Sequence, residues 1–193
     1  KTPEDRGSGA IIARSGNTYT VLTAAHVVKK TDRQYTIELG DGQKYSISGR
    51  QLSPTGNLDL AIVKFQSNRT YPIVKIGDSN SAVEGSLAYV AGFPLATAAI
   101  TQSVYTFSDG KITANSSQPF DNGYSIVYSC NTLPGMSGGP VLNDRGELIA
   151  VHGRGDVQES TKPSELNANV WVKTGFNLGI PVNTFTQMAS KMG

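Results

Sequence analysis

The feature that most constrains this sequence is a succession of short strand-like runs, each closed by a turn signal. Runs rich in β-branched and aromatic residues recur along the 193-residue chain, and glycine paired with asparagine or aspartate separates them. Many short strands at this spacing favour an all-β sandwich or barrel over an α/β sheet. The predicted strands cover residues 9–14, 18–22, 35–39, 44–49, 60–65, 86–90, 103–107, 125–129, 140–142, 148–151 and 170–172.

Local signals refine this all-β prediction. The Asp-Gly pairs at 41–42 and 109–110 predict turns, the first of them closing a hairpin. The polar stretch 156–169 predicts a long surface loop, for which a functional loop and a tolerated insertion are both open readings. Residues 183–192 predict the one helix, with Asn183 as its N-cap.

Composition excludes several classes of protein. The net charge is +2, which gives no electrostatic reason to expect a nucleic-acid partner. No apolar run approaches the roughly 18–20 residues that a membrane helix needs. The single cysteine, Cys130, excludes an intrachain disulfide and is expected to be a buried, inert thiol. The sequence also shows no phosphate-binding loop, dinucleotide fingerprint or metal-ligand cluster, so we expect no cofactor and no metal.

The N-terminal stub, residues 1–6, is polar and contains no apolar signal region. This is typical of a processed or excised domain. A secreted or periplasmic location is therefore favoured over a cytoplasmic one, although a thiol-poor chain fits either compartment.

Three short motifs carry the residues of a nucleophilic triad. His26 ends an apolar strand, Asp59 stands where another apolar strand begins, and Ser137 lies in a glycine-rich run. Each residue alone has an ordinary alternative: a half-buried histidine, a turn aspartate, a serine in a loop. Together they occur in the order His, Asp, Ser, one of the few chain orders in which such triads are built.

The proposed chemistry requires these residue types. A serine hydroxyl is a poor nucleophile, so a neutral imidazole must take its proton as it attacks a carbonyl. The carboxylate selects the imidazole tautomer and stabilises the imidazolium that forms. Glycines around Ser137 allow a sharp turn, so the amides of Gly135 and Ser137 are the candidates for an oxyanion hole.

Four segments, residues 7–12, 23–26, 59–61 and 135–140, resemble the trypsin/chymotrypsin superfamily of serine proteases. The closest resemblance is to its bacterial branches, the HtrA/Deg-type proteases and the glutamyl endopeptidases. It implies two six-stranded antiparallel β-barrels and a short C-terminal helix, with the triad in the cleft between the barrels. His26 and Asp59 would belong to the barrel of residues 7–84, and Ser137 to the barrel and helix of residues 85–193.

The sequence departs from the animal digestive members of the superfamily next to the nucleophile. The residue before the serine is Met136 where those proteases have an aspartate that pairs with the new N-terminal amine. Activation by that ion pair is therefore not expected here.

The resemblance also suggests which residues line the specificity pocket. In glutamyl endopeptidases, a histidine and a hydroxyl at the positions of His152 and Thr132 bind an acidic side chain, and an imidazole N–H and a hydroxyl can both donate to a carboxylate. A protonated histidine would add charge. Preferences for an acidic and for a small or apolar P1 residue (the residue before the scissile bond) both remain open. The pocket candidates are Asn131, Thr132, His152, Gly153, Arg154 and Gly155.

These observations predict a serine endopeptidase that acts through an acyl-enzyme on a peptide or protein substrate. A flanking regulatory domain outside this chain is one further expectation. The alternative is a latent or non-cleaving domain of the same fold that binds extended peptides.

Overall fold

The computed structural model describes residues 6–54, 56–159 and 171–190. Predictions for residues 1–5, for 160–170 and for 191–192 lie outside this part of the chain. Two α-helices are described, α1 (Ala25–Val28) and α2 (Val182–Ser190). The strands are β1 (Ala10–Ser15), β2 (Thr18–Thr23), β3 (Thr36–Glu38), β4 (Lys44–Ser46), β5 (Gly49–Leu52), β6 (Ala61–Gln66), β7 (Leu87–Gly92), β8 (Thr106–Asn115), β9 (Ile126–Tyr128), β10 (Pro140–Leu142), β11 (Leu148–Glu159) and β12 (Trp171–Pro181).

The N-terminal half contains a four-stranded antiparallel sheet in the order β1-β2-β6-β5. Strand β6 shows why it forms: its buried and more accessible residues alternate, so one face packs on the core. The predicted hairpin at 41–42 joins β3 to β4, which form a separate two-stranded sheet.

The prediction of a second closed barrel is not met in the described part of the N-terminal half. Each strand of the β3–β4 hairpin has only three residues, too few for a continuous ladder to both neighbours. The hairpin instead covers the sheet through Ile37 and Tyr45, which pack against the cluster that contains Phe65. The β3–β4 hairpin is therefore held on the sheet by buried side chains rather than by strand pairing.

The C-terminal half is a closed six-stranded barrel in the order β10-β11-β12-β9-β8-β7. The prediction of a turn at 109–110 is wrong, because β8 runs straight through both residues. A Cβ atom on Gly110 would lie 2.6 Å from the backbone nitrogen of Cys130, so the glycine permits a close approach of two chain segments.

Two further predictions in the C-terminal half need correction. Residues 156–159 of the predicted loop belong to β11, which pairs with β12 along its length. Asn183 lies inside α2 rather than at its N-cap, because the helix begins at Val182. The Asn183 side chain instead accepts a hydrogen bond from the amide of Ser79 and donates one to Asp78.

The two halves meet over a shared apolar core. Leu22 and Leu60 from the N-terminal half pack in one buried cluster with Leu148, Val151 and Ile180 from the barrel. Within the described residues, no helix is long and apolar enough to span a membrane.

Candidate active site

His26 and Asp59 form a close polar pair. The Nδ1 atom of His26 lies 2.6 Å from Oδ2 of Asp59, and the backbone amide of His26 donates to Oδ1 of the same carboxylate at 2.7 Å. His26 stands on α1, immediately after β2, and Asp59 precedes β6, which is paired with β2. Pairing of these strands therefore brings the two residues together across 33 positions of sequence.

Asp59 is held as a carboxylate by three donors. Its side chain is 11% exposed. Burial raises the pKa of Asp59, but hydrogen bonds from His26 and Tyr124 and the charge of His26 outweigh it, so the pKa lies below its ordinary value. The Tyr124 hydroxyl donates to Oδ2 of Asp59, the same oxygen that faces His26. An ionised Asp59 selects the imidazole tautomer with hydrogen on Nδ1, which leaves Nε2 free to accept a proton.

Ser137 lies on a tight turn packed against the segment that leads to His26. The next residue, Gly138, has φ +86°, and a Cβ there would lie 2.2 Å from Oγ1 of Thr23 and 2.9 Å from the amide of Ala24. Only glycine fits that position. Among the described residues, no hydrogen bond joins the Ser137 hydroxyl to His26; such contacts are often looser without substrate.

The peptide groups before Ser137 have a defined orientation. The carbonyl of Pro134 accepts a hydrogen bond from the amide of Leu95 at 2.8 Å, and the amide of Met136 donates to the carbonyl of Leu133 at 3.1 Å. Gly135, with φ +96°, occupies the turn position that requires a left-handed residue. Because a trans peptide directs its N–H opposite to its carbonyl, the Gly135 amide points away from Leu95.

Neither the Gly135 amide nor the Ser137 amide has a hydrogen-bond acceptor in the described ranges. Two adjacent donors without acceptors are what an oxyanion site presents before substrate binds. Met136, between them, is fully buried in the barrel core. Apolar packing thus occupies the place where the digestive proteases use a charged aspartate.

Cys130 lies outside this arrangement. Its thiol is buried, and burial together with the nearby Asp109 charge raises the pKa of Cys130 to about 12. A protonated thiol is a poor nucleophile, so the structure supports the prediction of an inert side chain. No metal-binding group of three or more His, Cys, Asp or Glu side chains occurs in the part of the chain that the structure describes.

His152 is a buried neutral histidine beside the nucleophile turn. Its carbonyl accepts from the amide of Gly138 at 2.7 Å, and its amide donates to Gly139 at 2.9 Å. Burial, and then the charges of His26 and Lys173, lower the pKa of His152 to about 3. A charge this far from water is costly, so the imidazole is neutral and does not supply the charge that protonation would add.

The ring of His152 contacts the hydroxyl of Tyr128, which lies 2.5 Å from Nδ1. Burial raises the pKa of Tyr128 well above its ordinary value, so the hydroxyl keeps its proton and can donate it to Nδ1. In the tautomer that accepts this proton, the ring hydrogen of the neutral imidazole resides on Nε2, which is the donor left for a ligand.

Thr132 is engaged differently from what the sequence suggests. Its hydroxyl donates to Oδ1 of Asn177, whose amide group donates to the carbonyls of Tyr128 and Cys130. Thr132 is therefore a buried support whose hydroxyl proton is already committed. Its carbonyl in turn accepts a hydrogen bond from Nζ of Lys173 at 2.9 Å.

The four remaining pocket candidates lie in three different places. Gly155 borders the pocket: a Cβ on it would lie 3.6 Å from Oδ1 of Asn177 and 3.8 Å from Nζ of Lys173. Gly153 and Arg154 instead contact Tyr124, Arg154 with its guanidinium over the ring at 5.4 Å. Asn131 is exposed and makes no side-chain hydrogen bond within the described ranges.

Sequence reasoning missed four residues of this region: Tyr124, Tyr128, Lys173 and Asn177. No local pattern singles out Tyr124 and Tyr128, because aromatic residues at strand spacing are ordinary core residues. Lys173 and Asn177 come from β12, whose predicted strand ended at residue 172. The one available signal was the alternation of apolar residues over 176–180, beyond the end of that predicted strand.

Comparisons with known proteins identify the family and the fold. A sequence model described as a trypsin-like peptidase domain matches residues 7–151. Proteins described as "Serine protease HtrA-like" from Staphylococcus aureus strains USA300 and NCTC 8325 are 30% identical over 157 residues, which is 77% of this chain and 20% of each relative.

Solved structures show the same fold. The HtrA-type protease AlgW with a decapeptide has a TM-score of 0.69 at 23% identity, covering 95% of this chain and 50% of that one. A variant of AlgW with a decapeptide has a TM-score of 0.66, also at 23% identity, covering 92% and 48%. This chain thus spans about a fifth of the curated relatives and half of the solved chains. It belongs to the family of trypsin-like peptidase domains.

Proposed function

We propose that this domain is a serine endopeptidase that works through an acyl-enzyme. The observation that carries the proposal is the 2.6 Å contact between His26 Nδ1 and Asp59 Oδ2, because it prepares Nε2 of His26 as a base. The serine on the adjacent glycine-rich turn is the one nucleophile candidate that both family membership and local geometry support.

In the proposed mechanism, Oγ of Ser137 attacks the scissile carbonyl carbon while Nε2 of His26 takes the hydroxyl proton. The carbonyl π electrons move to the oxygen, whose charge the amides of Gly135 and Ser137 stabilise. Collapse of this intermediate breaks the C–N bond, and His26 gives its proton to the departing amine. Water then attacks the acyl-enzyme with His26 again as base, releasing the acid and restoring Ser137.

The orientation of the Pro134 and Gly135 peptides favours this enzymatic reading over a non-cleaving peptide-binding domain. A collapsed loop would direct a carbonyl into the oxyanion site. Here the Pro134 carbonyl is occupied by the Leu95 amide at 2.8 Å. Two free amide donors on the nucleophile turn match the oxyanion of a tetrahedral intermediate, which favours cleavage over binding alone.

The pocket supports a preference for an acidic P1 side chain. Neutral His152 offers Nε2–H as a donor. The positive charge comes from Lys173, whose ammonium lies at the Gly155 wall and is fixed on the Thr132 carbonyl. One cation and one neutral donor match a single carboxylate and leave an arginine or lysine side chain without a partner. A small or apolar preference is the competing outcome.

Covalent labelling tests the proposed chemistry directly. A fluorophosphonate probe is expected to add to Ser137 of the wild-type protein, detected as a mass increase on the peptide that contains residue 137. Ser137→Ala, His26→Ala and heat-unfolded wild type are the controls, and none of them should react. A folded wild-type protein that stays unlabelled, or one that is labelled at another serine, would contradict the proposal.

A further inference from the structure

Ser8 occupies an unusual position next to the nucleophile turn. It belongs to the segment before β1, is 9% exposed, and makes four hydrogen bonds to three other parts of the chain. Its amide donates to the carbonyl of Ser137 at 2.7 Å, and its hydroxyl donates to the carbonyl of Gly135 at 2.8 Å. One residue thus holds the carbonyls of the two residues whose amides form the proposed oxyanion hole.

The other two bonds of Ser8 anchor it. Its carbonyl accepts from the Thr23 hydroxyl at 2.7 Å, three residues before His26, and its hydroxyl accepts from the amide of Phe93 at 2.9 Å. The hydroxyl therefore both donates and accepts, so all of its main hydrogen-bonding capacity is used. A buried group satisfied in this way stays in one orientation.

Hydrogen bonds from outside the nucleophile turn fix the orientation of its peptide planes. The Pro134–Gly135 plane is fixed by Leu95, and the Gly135–Met136 plane is fixed by the Ser8 hydroxyl on one side and by the Leu133 carbonyl on the other. Gly135 can adopt many backbone conformations, because it lacks a side chain. External hydrogen bonds are therefore needed to keep its amide aimed at one point.

Met136 is a further reason why this turn needs hydrogen bonds from other parts of the chain. An aspartate there could be held by an ion pair, but a methionine anchors the turn only by apolar packing, which does not orient a peptide group. Ser8 holds the Gly135–Met136 and Ser137–Gly138 peptide planes, which lie on either side of the plane that carries the Ser137 amide, and the first of them also adjoins the plane that carries the Gly135 amide. From these contacts we infer that Ser8 is a positioning residue that keeps the Gly135 and Ser137 amides, through these neighbouring planes, in the geometry required to stabilise the oxyanion. This inference rests on the proposed endopeptidase function.

Ser79 provides a matched control. Like Ser8 it is buried, its hydroxyl donates to a backbone carbonyl, that of Ile149, at 2.8 Å, and the hydroxyl accepts from a backbone amide, that of Asn183, at 3.1 Å. It lies beside α2 and contacts none of the candidate catalytic residues. Ser79→Ala therefore removes the same set of bonds without touching the nucleophile turn.

The test compares Ser8→Ala with Ser79→Ala and wild type. We expect Ser8→Ala to lower kcat at least tenfold with KM changed less than threefold, since losing one oxyanion donor outright costs roughly 10²–10³. Ser79→Ala should keep kcat within twofold. Equal kcat values in the two variants, or a Ser8→Ala defect that appears only in KM, would overturn the inference.

A second measurement separates this inference from the proposed function. Amide hydrogen exchange of the peptide that covers residues 131–139 should become at least tenfold faster in Ser8→Ala and stay unchanged in Ser79→Ala, whether or not the protein turns over peptides. Unchanged exchange in Ser8→Ala would overturn the positioning role even if the domain is an active protease. An inactive wild type whose loop loosens in Ser8→Ala would instead contradict the endopeptidase proposal alone. If Ser8→Ala does not fold, the pair Ser8→Cys and Ser79→Cys gives the same comparison with milder changes.

Discussion

Tyr124 donates its hydroxyl proton to Oδ2 of Asp59, the oxygen that also faces His26. The tyrosine comes from the segment before β9, in the C-terminal half, whereas Asp59 precedes β6 in the N-terminal half. A backbone hydrogen bond joins the same two segments: the amide of Asp59 donates to the carbonyl of Asn122 at 3.0 Å. The two halves are thus joined at the carboxylate of the candidate triad itself.

Burial first, and then the hydrogen bond and charge of Asp59, raise the pKa of Tyr124, while Arg154 opposes the shift. The hydroxyl therefore remains a donor at any pH at which the protein is folded. We predict that Tyr124→Phe lowers kcat about tenfold with little change in KM, because a hydrogen bond to a charged group contributes roughly 1.5–3 kcal/mol. Steady-state kinetics between pH 5 and 9 would measure this, and the acidic limb of the kcat profile should move.

Tyr89→Phe is the matched control for this substitution, because Tyr89 stacks on Phe107 at 5.4 Å, away from Asp59. It should leave kcat and the pH profile as in wild type. An unchanged profile in Tyr124→Phe would show that the Tyr124 hydroxyl plays no part in orienting Asp59.

Lys173 supplies the charge in our account of substrate preference. We predict that Lys173→Met reduces kcat/KM for a glutamate P1 peptide about fivefold, because a partly solvated ion pair contributes up to about 1 kcal/mol. The same peptide with glutamine at P1 should be affected less than twofold. Competition between the two peptides, quantified by mass spectrometry, gives the ratio directly.

Lys64→Met serves as the control for loss of one positive charge, since Lys64 lies on β6 in the N-terminal half. It should leave the glutamate-to-glutamine ratio unchanged. Equal ratios in Lys173→Met and wild type would contradict a role for Lys173 in the pocket.

His152 makes stability depend on pH. Its pKa is lowered to about 3 in the folded state, against about 6.5 when unfolded, so the unfolded chain takes up a proton first as pH falls. The stability contribution is therefore complete above about pH 6.5 and is lost as pH falls towards 3. We predict that the free energy of unfolding drops by about 2 kcal/mol from this group between pH 7 and pH 5.

Urea unfolding of wild type and His152→Gln at both pH values checks this prediction. The difference between pH 7 and pH 5 should be smaller in His152→Gln by about the same 2 kcal/mol. Identical pH dependence in the two proteins would show that His152 titrates normally and is open to water.

How far the sequence predicts this molecule depends on the range of the contacts involved. The family, the all-β class and the positions of most strands were predicted, because each rests on a short motif or a local alternation, and the family is confirmed by the comparisons. His26 and Asp59 were predicted as partners from their short motifs, their order in the chain and the family resemblance, and the structure brings their side chains together. Their catalytic roles, and the division near residue 84, remain predictions.

The features that sequence reasoning missed depend on distant parts of the chain. Tyr124 reaches Asp59 across 65 positions, and Ser8 reaches Gly135 across 127. No local spacing encodes such contacts. The predicted second barrel failed for a related reason: strand pairing between β3–β4 and the sheet depends on register that a three-residue strand does not specify.

The central claim is that Ser137 cleaves peptide bonds, with an acidic residue preferred at P1. The most direct measurement is cleavage of a peptide library with every residue at P1, by wild type and by Ser137→Ala at equal concentrations. Our account predicts cleavage after glutamate or aspartate by wild type and none by Ser137→Ala. Cleavage by wild type after small or apolar residues would contradict the assigned pocket, and equal activity in both proteins, or none in either, would contradict the endopeptidase itself.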